Sequence, residues 1–151
     1  IFDAFGMDLK KKSGKINLKL LAQRAFNHID NQKIINGILW PELYILIEKK
    51  INEKMKNHNL FIIDAALIFE ANFINFCDYI LLITAKQDIR YKRALIRGNL
   101  TKDQIEQRML LQMPEKNKKK LADYVIDNNL SKNIFYHKIE EFYTNIIQPK
   151  I

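Results

Sequence analysis

Four arginines carry the clearest promise of chemistry in this chain of 151 residues. Between Gln87 and Arg97 the sequence predicts a short helix, on which Arg90, Arg93 and Arg97 fall at i, i+3 and i+7 and share one face. Ile89, Tyr91, Leu95 and Ile96 occupy much of the remaining surface and can pack on a core. Gly98-Asn99 ends that helix. Thr101 followed by Gln104 is a capping box, so a second helix starts there and carries Arg108. Guanidinium forks match phosphate oxygens better than ammonium groups do, so four of them on two joined helices suit a polyanionic ligand. The competing explanation is a solvated basic face.

The elements that would position these arginines must come from one core, with room for a small appended subdomain, since the chain is 48% hydrophobic. Lys+Arg 25 against Asp+Glu 17 gives a net charge of +8 and favours anionic partners. The abundance of Lys, Asn and Ile together weakens that inference. One cysteine, Cys77, excludes an internal disulfide framework and fits a reducing compartment. His28, His58 and His137 lie too far apart for a zinc site. No run reaches the length of a membrane span and no signal peptide is recognised, so a cytoplasmic protein without membrane partners is expected.

Taken in order, the chain opens on apolar IFDAFGMDL and turns through Lys10–Lys15, with Ser13-Gly14 as the turn signal. Leu18, Leu21, Ala22, Ala25 and Phe26 have helical period. Asp30 is expected to cap a helix holding Ile34, Ile35 and Ile38, which Trp40-Pro41 should end. Pro41 would then open a further helix running to about Asn57. Three apolar runs without alternation follow: Leu60–Ile63 ending in Asp64, Tyr79–Ile83 ending in Thr84, and Tyr124–Ile126 ending in Asp127-Asn128. Helix-like sequence separates them, which predicts parallel strands with helical crossovers in an α/β fold. Ligands of such sheets collect at the carboxyl ends of the strands, where Asp64, Thr84 and Asp127-Asn128 stand and the arginine helix begins. Met113-Pro114-Glu115 starts another helix whose lysines, Lys116 and Lys118–Lys120, read as soluble surface. Ile134, Phe135, Ile139, Phe142 and Ile146 predict a closing helix from Lys132 to Ile151.

IIDAALIFE (62–70), DYILLIT (78–84), IRYKRALIRGNLT (89–101), QRMLLQMP (107–114) and LADYVIDNN (121–129) together resemble the dephospho-coenzyme A kinase family. FG…SGKINLKLLAQRAF (5–26) resembles its substrate-side region, and the likeness runs from about Phe5 to Ile139. The resemblance implies a three-layer, P-loop NTPase-like parallel sheet with a helical substrate subdomain and a helical lid. In one domain over 1–151, residues 10–58 would be the substrate side, 60–97 and 122–148 the α/β core, and 98–121 the lid. It also implies transfer of the γ-phosphoryl of ATP to the ribose 3′-hydroxyl of dephospho-coenzyme A, the last step of coenzyme A synthesis, with Mg2+ bridging phosphates.

By the same resemblance, Arg93 and Arg97 would bind phosphate and Arg108 would close over it from the lid. Asp64 would hold Mg2+ or its water. Glu70, with Phe69 beside it, would face the substrate, although Phe69 by itself reads as core. Asn128, with Asp127, would lie near the adenine. The family's G-x-x-x-x-G-K-[ST] loop is not found in these residues, because Ser13-Gly14-Lys15 lacks the first glycine and a preceding strand. The aspartate segment after that loop is not found either. The expectation is therefore a chain without its first βα unit, binding nucleotide weakly and not turning over alone. Trp40 before Pro41, Ala66, Gly98 and Leu130 are further departures from the family pattern. Two alternatives stay open: another P-loop kinase of nucleotides or metabolites, and a basic nucleic-acid-binding module. The second fits poorly, because the aromatics lie in apolar runs and do not interleave with the arginines.

Overall fold

In the computed structural model, which describes residues 1–98 and 100–151, the first third is a helical unit. Helix α1 (Phe2–Phe5) and a 3-10 turn at Met7–Leu9 lead into a tight turn that an antiparallel bridge closes between Lys10 and Ile16. Helix α2 (Leu18–Ala25) begins at Asn17, whose Oδ1 accepts from the Leu20 N–H at 3.3 Å. Phe5, Leu9, Leu21, Ala25 and Ile35 form a buried cluster beneath these elements.

Helix α3 runs unbroken from Ile29 to Lys54 with Pro41 inside it, which corrects the expected stop at Trp40-Pro41. A proline ring opposes the carbonyl four residues back and removes one hydrogen bond, a cost of about 3 kcal/mol. The helix of 26 residues loses that one bond and keeps the rest of its ladder. His28, not Asp30, is the N-cap, its Nδ1 accepting from the Asp30 N–H at 3.3 Å. Asp30 instead sits in the first turn, where a carboxylate suits the helix dipole.

Strands β1 (Leu81–Thr84) and β2 (Tyr124–Asp127) pair in parallel, with Leu81 opposite Tyr124 and Thr84 opposite Asp127. A parallel pair needs a long crossover. Helices α4 (Gln87–Ile96), α5 (Lys102–Leu110) and α6 (Glu115–Leu121) supply it. Gly98 follows α4 with a φ of 70°, and Asn99, the other half of the expected break, lies outside the described residues. The capping box at α5 forms as expected, with Thr101 and Gln104 bonded reciprocally at 3.1 and 3.3 Å.

Leu60–Asp64 was expected as a third strand and forms none. Leu60 and Ile62 are exposed, so apolar character here fixed neither burial nor pairing. Both this segment and the 79–84 segment line one cavity of about 1050 Å³. Paired strands leave only about 4.8 Å between backbones, too little for such a space. The predicted closing helix is also shorter: α7 (Lys132–Phe142) widens into a π turn at Tyr143–Ile147, then a 3-10 turn at Gln148–Lys150. Pro149, without an N–H, cannot carry the α ladder further. No helix among the described residues is long and apolar enough to cross a membrane.

Candidate functional site

The carboxyl ends of β1 and β2 form one polar junction. Thr84 is buried, and its carbonyl accepts from the Asn128 N–H at 2.7 Å, carrying the ladder one residue past the strand. Arg93, on the face of α4 that the sequence marked, donates from one terminal nitrogen to the Asn128 carbonyl at 2.8 Å. That uses one of the five N–H donors of a guanidinium. Asn129 caps the other side of the junction: its Oδ1 accepts from the Lys86 N–H at 2.7 Å and its Nδ2 donates to Asp127 Oδ1 at 3.2 Å. Asp127 also meets Lys138 of α7 at 2.7 Å. The Lys138 ammonium holds the Asp127 carboxyl below the usual carboxylate range, with help from Asn129.

The cavity adjoins this junction. Ile63, Phe69, Leu82, Phe142 and Ile147 give its apolar lining, and Asp64, Thr84, Arg90, Glu115 and Lys118 its polar lining. Asp64 is exposed and enters no ion pair among the described residues. No cluster of three candidate metal ligands occurs among them. Mg2+ keeps several waters and binds through one or two carboxylates plus substrate phosphates, so a lone aspartate is compatible with it. Arg90 pairs loosely with Glu115 at 3.5 Å, and its Nε is buried without a partner among the described residues.

The other expected residues stand apart from this junction. Arg97 is exposed at the C-cap of α4. Arg108 rests with its guanidinium carbon 5.2 Å from the ring centroid of Phe26, a residue of the helical unit. Phe69 is buried. Glu70 is engaged internally: its Oε1 accepts from the Lys118 ammonium at 2.9 Å and from the Met113 N–H at 2.8 Å.

Lys118 and Lys138 were missed by the reading of the sequence. Lys118 is 9% exposed, which corrects its placement in a solvated lysine run. Nothing local separates it from Lys119 and Lys120. The available signal is its phase, three residues after Glu115 on a helix whose same face must meet the core. Asp8 and Arg24, which tie the 3-10 turn to α2, were also missed. They pair through two bonds of 2.6 and 2.7 Å, and Arg24 donates to the Phe5 carbonyl as well. The Arg24 bond lowers the Asp8 carboxyl below its usual range.

A family model described as CoaE, dephospho-CoA kinase, matches residues 1–133. A dephospho-CoA kinase of Fusobacterium nucleatum subsp. nucleatum is 30% identical over 142 residues, which cover 94% of this chain and 72% of the relative. The structure titled as dephospho-CoA kinase from Campylobacter jejuni superposes with a TM-score of 0.67 at 24% identity, over 99% of this chain and 75% of its own. A Thermus thermophilus protein superposes at 0.73 with 21% identity, over 96% and 74%. At those identities the two structures speak for the fold: helix-rich, with a small parallel sheet, as in an α/β kinase. With the family model covering nearly nine-tenths of it and an enzyme of that name 30% identical, the chain belongs to the dephospho-CoA kinase family.

Proposed function

We propose that this polypeptide serves the transfer of the γ-phosphoryl group of ATP to the ribose 3′-hydroxyl of dephospho-CoA, the last step of coenzyme A biosynthesis. The family match over residues 1–133 carries this reading. The geometry agrees with it, since a basic helix begins at the carboxyl end of a parallel strand beside a cavity large enough for a nucleotide. In this reading 60–97 and 122–148 make a three-layer α/β core, 10–58 the substrate side and 98–121 the lid.

Charge spreads over the transferred phosphoryl in the transition state, so the protein's task is to position the reactants and stabilise that charge. Arg93, already oriented by the Asn128 carbonyl, has donors left for phosphate oxygens. Arg97, exposed one helical turn further on, adds a second fork. Arg108 leaves the Phe26 ring and closes over the phosphates when α5 moves. Asn128 and Asp127 border the adenine. Phe69 and Glu70 stand on the acceptor side, and Glu70 Oε2 is buried without a partner among the described residues. Asp64 would hold Mg2+, which when bound neutralises phosphate charge.

The test is a thermal-shift panel with dephospho-CoA, ATP and short oligonucleotides, followed by ADP release with dephospho-CoA as acceptor. The chain is assayed alone and with a G-x-x-x-x-G-K-[ST] loop segment joined ahead of Ile1: weak stabilisation by dephospho-CoA and ATP is expected of the first, and acceptor-dependent ADP release of the second. Stabilisation by oligonucleotides alone, or ADP release only with a different acceptor, would overturn the reading.

A further inference from the structure

One polar contact set lies at the joint between α5 and α6. Along α5 the amide ladder ends with the Leu111 N–H on the Gln107 carbonyl at 3.1 Å and the Gln112 N–H on Met109 at 3.4 Å. It resumes in α6 with the Asn117 N–H on the Pro114 carbonyl at 2.9 Å. Pro114 has no N–H, so Met113 is the joint residue whose amide leaves the local ladder, and it goes to Glu70 Oε1. The same oxygen receives the Lys118 ammonium, which also donates to the Ala66 carbonyl at 3.1 Å. Side chains of Lys118 and Glu70 are only 11% and 15% exposed.

Burying an ammonium among exposed lysines is costly unless it is paired and hydrogen-bonded, and here it is both. α6 has seven residues and no side-chain N-cap bond, so its position depends on contacts of this kind. On the other side of the joint α5 buries only Ile105 and rests Arg108 on Phe26. One side of the joint is therefore bolted to the 66–70 turn, and the other is lightly held.

We propose that Lys118 and Glu70 are positioning residues, a latch that fixes the α6 side of the joint so that α5 swings about a defined pivot and delivers Arg108 to one place. The proposal rests on the kinase reading. It adds that Glu70 acts through Met113 and Lys118 and not by touching the acceptor.

The experiment compares Lys118→Met, Lys118→Arg, Glu70→Gln and the control Lys120→Met in the chain carrying a G-x-x-x-x-G-K-[ST] loop segment ahead of Ile1, assayed well below each melting temperature, with amide hydrogen exchange read at Met113. Lys118→Met and Glu70→Gln should lower kcat about tenfold with little change in the dephospho-CoA KM, short of the hundredfold that an ångström of misplacement can cost. Both should speed Met113 exchange, Lys118→Arg should restore most of the loss, and Lys120→Met should match the parent. A rise confined to the dephospho-CoA KM in Glu70→Gln would make Glu70 an acceptor contact and overturn the latch. Full kcat with only a lowered melting temperature would overturn it too. Failure of the kinase reading would show separately, as a loop-bearing parent without acceptor-dependent ADP release. In that event Met113 exchange still decides the latch, acceleration supporting a held joint and unchanged protection refuting it.

Discussion

Around Leu9 the helical unit closes over apolar side chains, whereas around Glu70 and Asn128 the strand-bearing part is tied by charges and backbone carbonyls. The first unit packs Phe5, Leu9, Leu21, Ala25 and Ile35 together, and its shortest ion pair among the described residues, Asp8–Arg24, lies at the surface. The second borders a cavity of about 1050 Å³ and fixes its helices through Lys118–Glu70, Arg93–Asn128 and Lys138–Asp127. Dispersion and hydrophobic burial are non-directional, so they hold the shape of a unit without dictating which way a side chain points. Hydrogen-bonded charges cost desolvation but are directional. That difference is what a platform and a phosphate-handling region would each need.

The largest expected effects set one unit against the other. Lys118→Met leaves the Glu70 carboxylate buried and unpaired, a loss of about 3–5 kcal/mol. Leu9→Ala removes a fully buried side chain and should cost about 2–5 kcal/mol. Urea unfolding measures both. In the double variant the losses should add within about 0.5 kcal/mol, since the two sites share no partner. Marked non-additivity would mean that the two units are not held independently.

Next in size is Arg93 against Arg97. Arg93→Ala removes a charged donor from the Asn128 carbonyl and should cost about 1.5–3 kcal/mol of stability, beyond its effect on turnover. Arg97→Ala, at an exposed position, should stay within about 0.5 kcal/mol of the parent while lowering kcat/KM. Equal stability losses in the two would place Arg97 in the fold and not in the site.

How much of this was legible follows the same division. The α4 helix and the α5 capping box rest on short-range periodicity and turn chemistry, which the sequence states directly, while the parallel pairing of 81–84 with 124–127 followed from the helix-like sequence between two apolar runs. Leu60–Asp64 misled because an apolar run does not by itself fix pairing or even burial, and Leu60 and Ile62 are exposed. Trp40-Pro41 misled because one lost ladder bond is a small part of a helix of 26 residues, which runs on through it. Lys118 and Lys138 were invisible because their partners, Glu70 and Asp127, lie on other elements, and no local pattern encodes a contact made by the fold. The candidate site was therefore legible as a set of residue types, and its internal ties were not.

Gly6 gives a smaller test, within the helical unit. Its φ is 105°, and a Cβ there would meet Asp8 Oδ1 at 2.6 Å and an Arg24 terminal nitrogen at 2.7 Å. Gly6→Ala should cost about 1–3 kcal/mol from the backbone conformation alone. It should also displace the Asp8–Arg24 pair, which melting of Gly6→Ala beside Asp8→Asn and the double variant would separate.

The smallest effect concerns the two surface carboxylates, one in each unit. Asp8 beside Arg24 and Asp127 beside Lys138 are both held below the ordinary carboxylate value. A carboxyl with a depressed folded-state pKa binds protons more readily once unfolded. Its contribution is therefore complete above the ordinary value of about 3.9 and is lost as pH falls through that value toward the folded one. Lys138→Met and Arg24→Met should each lower the melting temperature slightly at neutral pH, and each difference should fade at pH values below the carboxylate range. Salt separates the two. Lys138 meets one carboxylate oxygen of Asp127 at 2.7 Å and its carbonyl only at 3.4 Å, and such an exposed pair is readily screened. Arg24 grips both oxygens of Asp8 while also reaching the Phe5 carbonyl, so its contribution is partly geometric and should survive salt that erases the Lys138 difference. Differences that stay constant with pH in both variants would mean the lysine and arginine act through their packed stems, not through their charges.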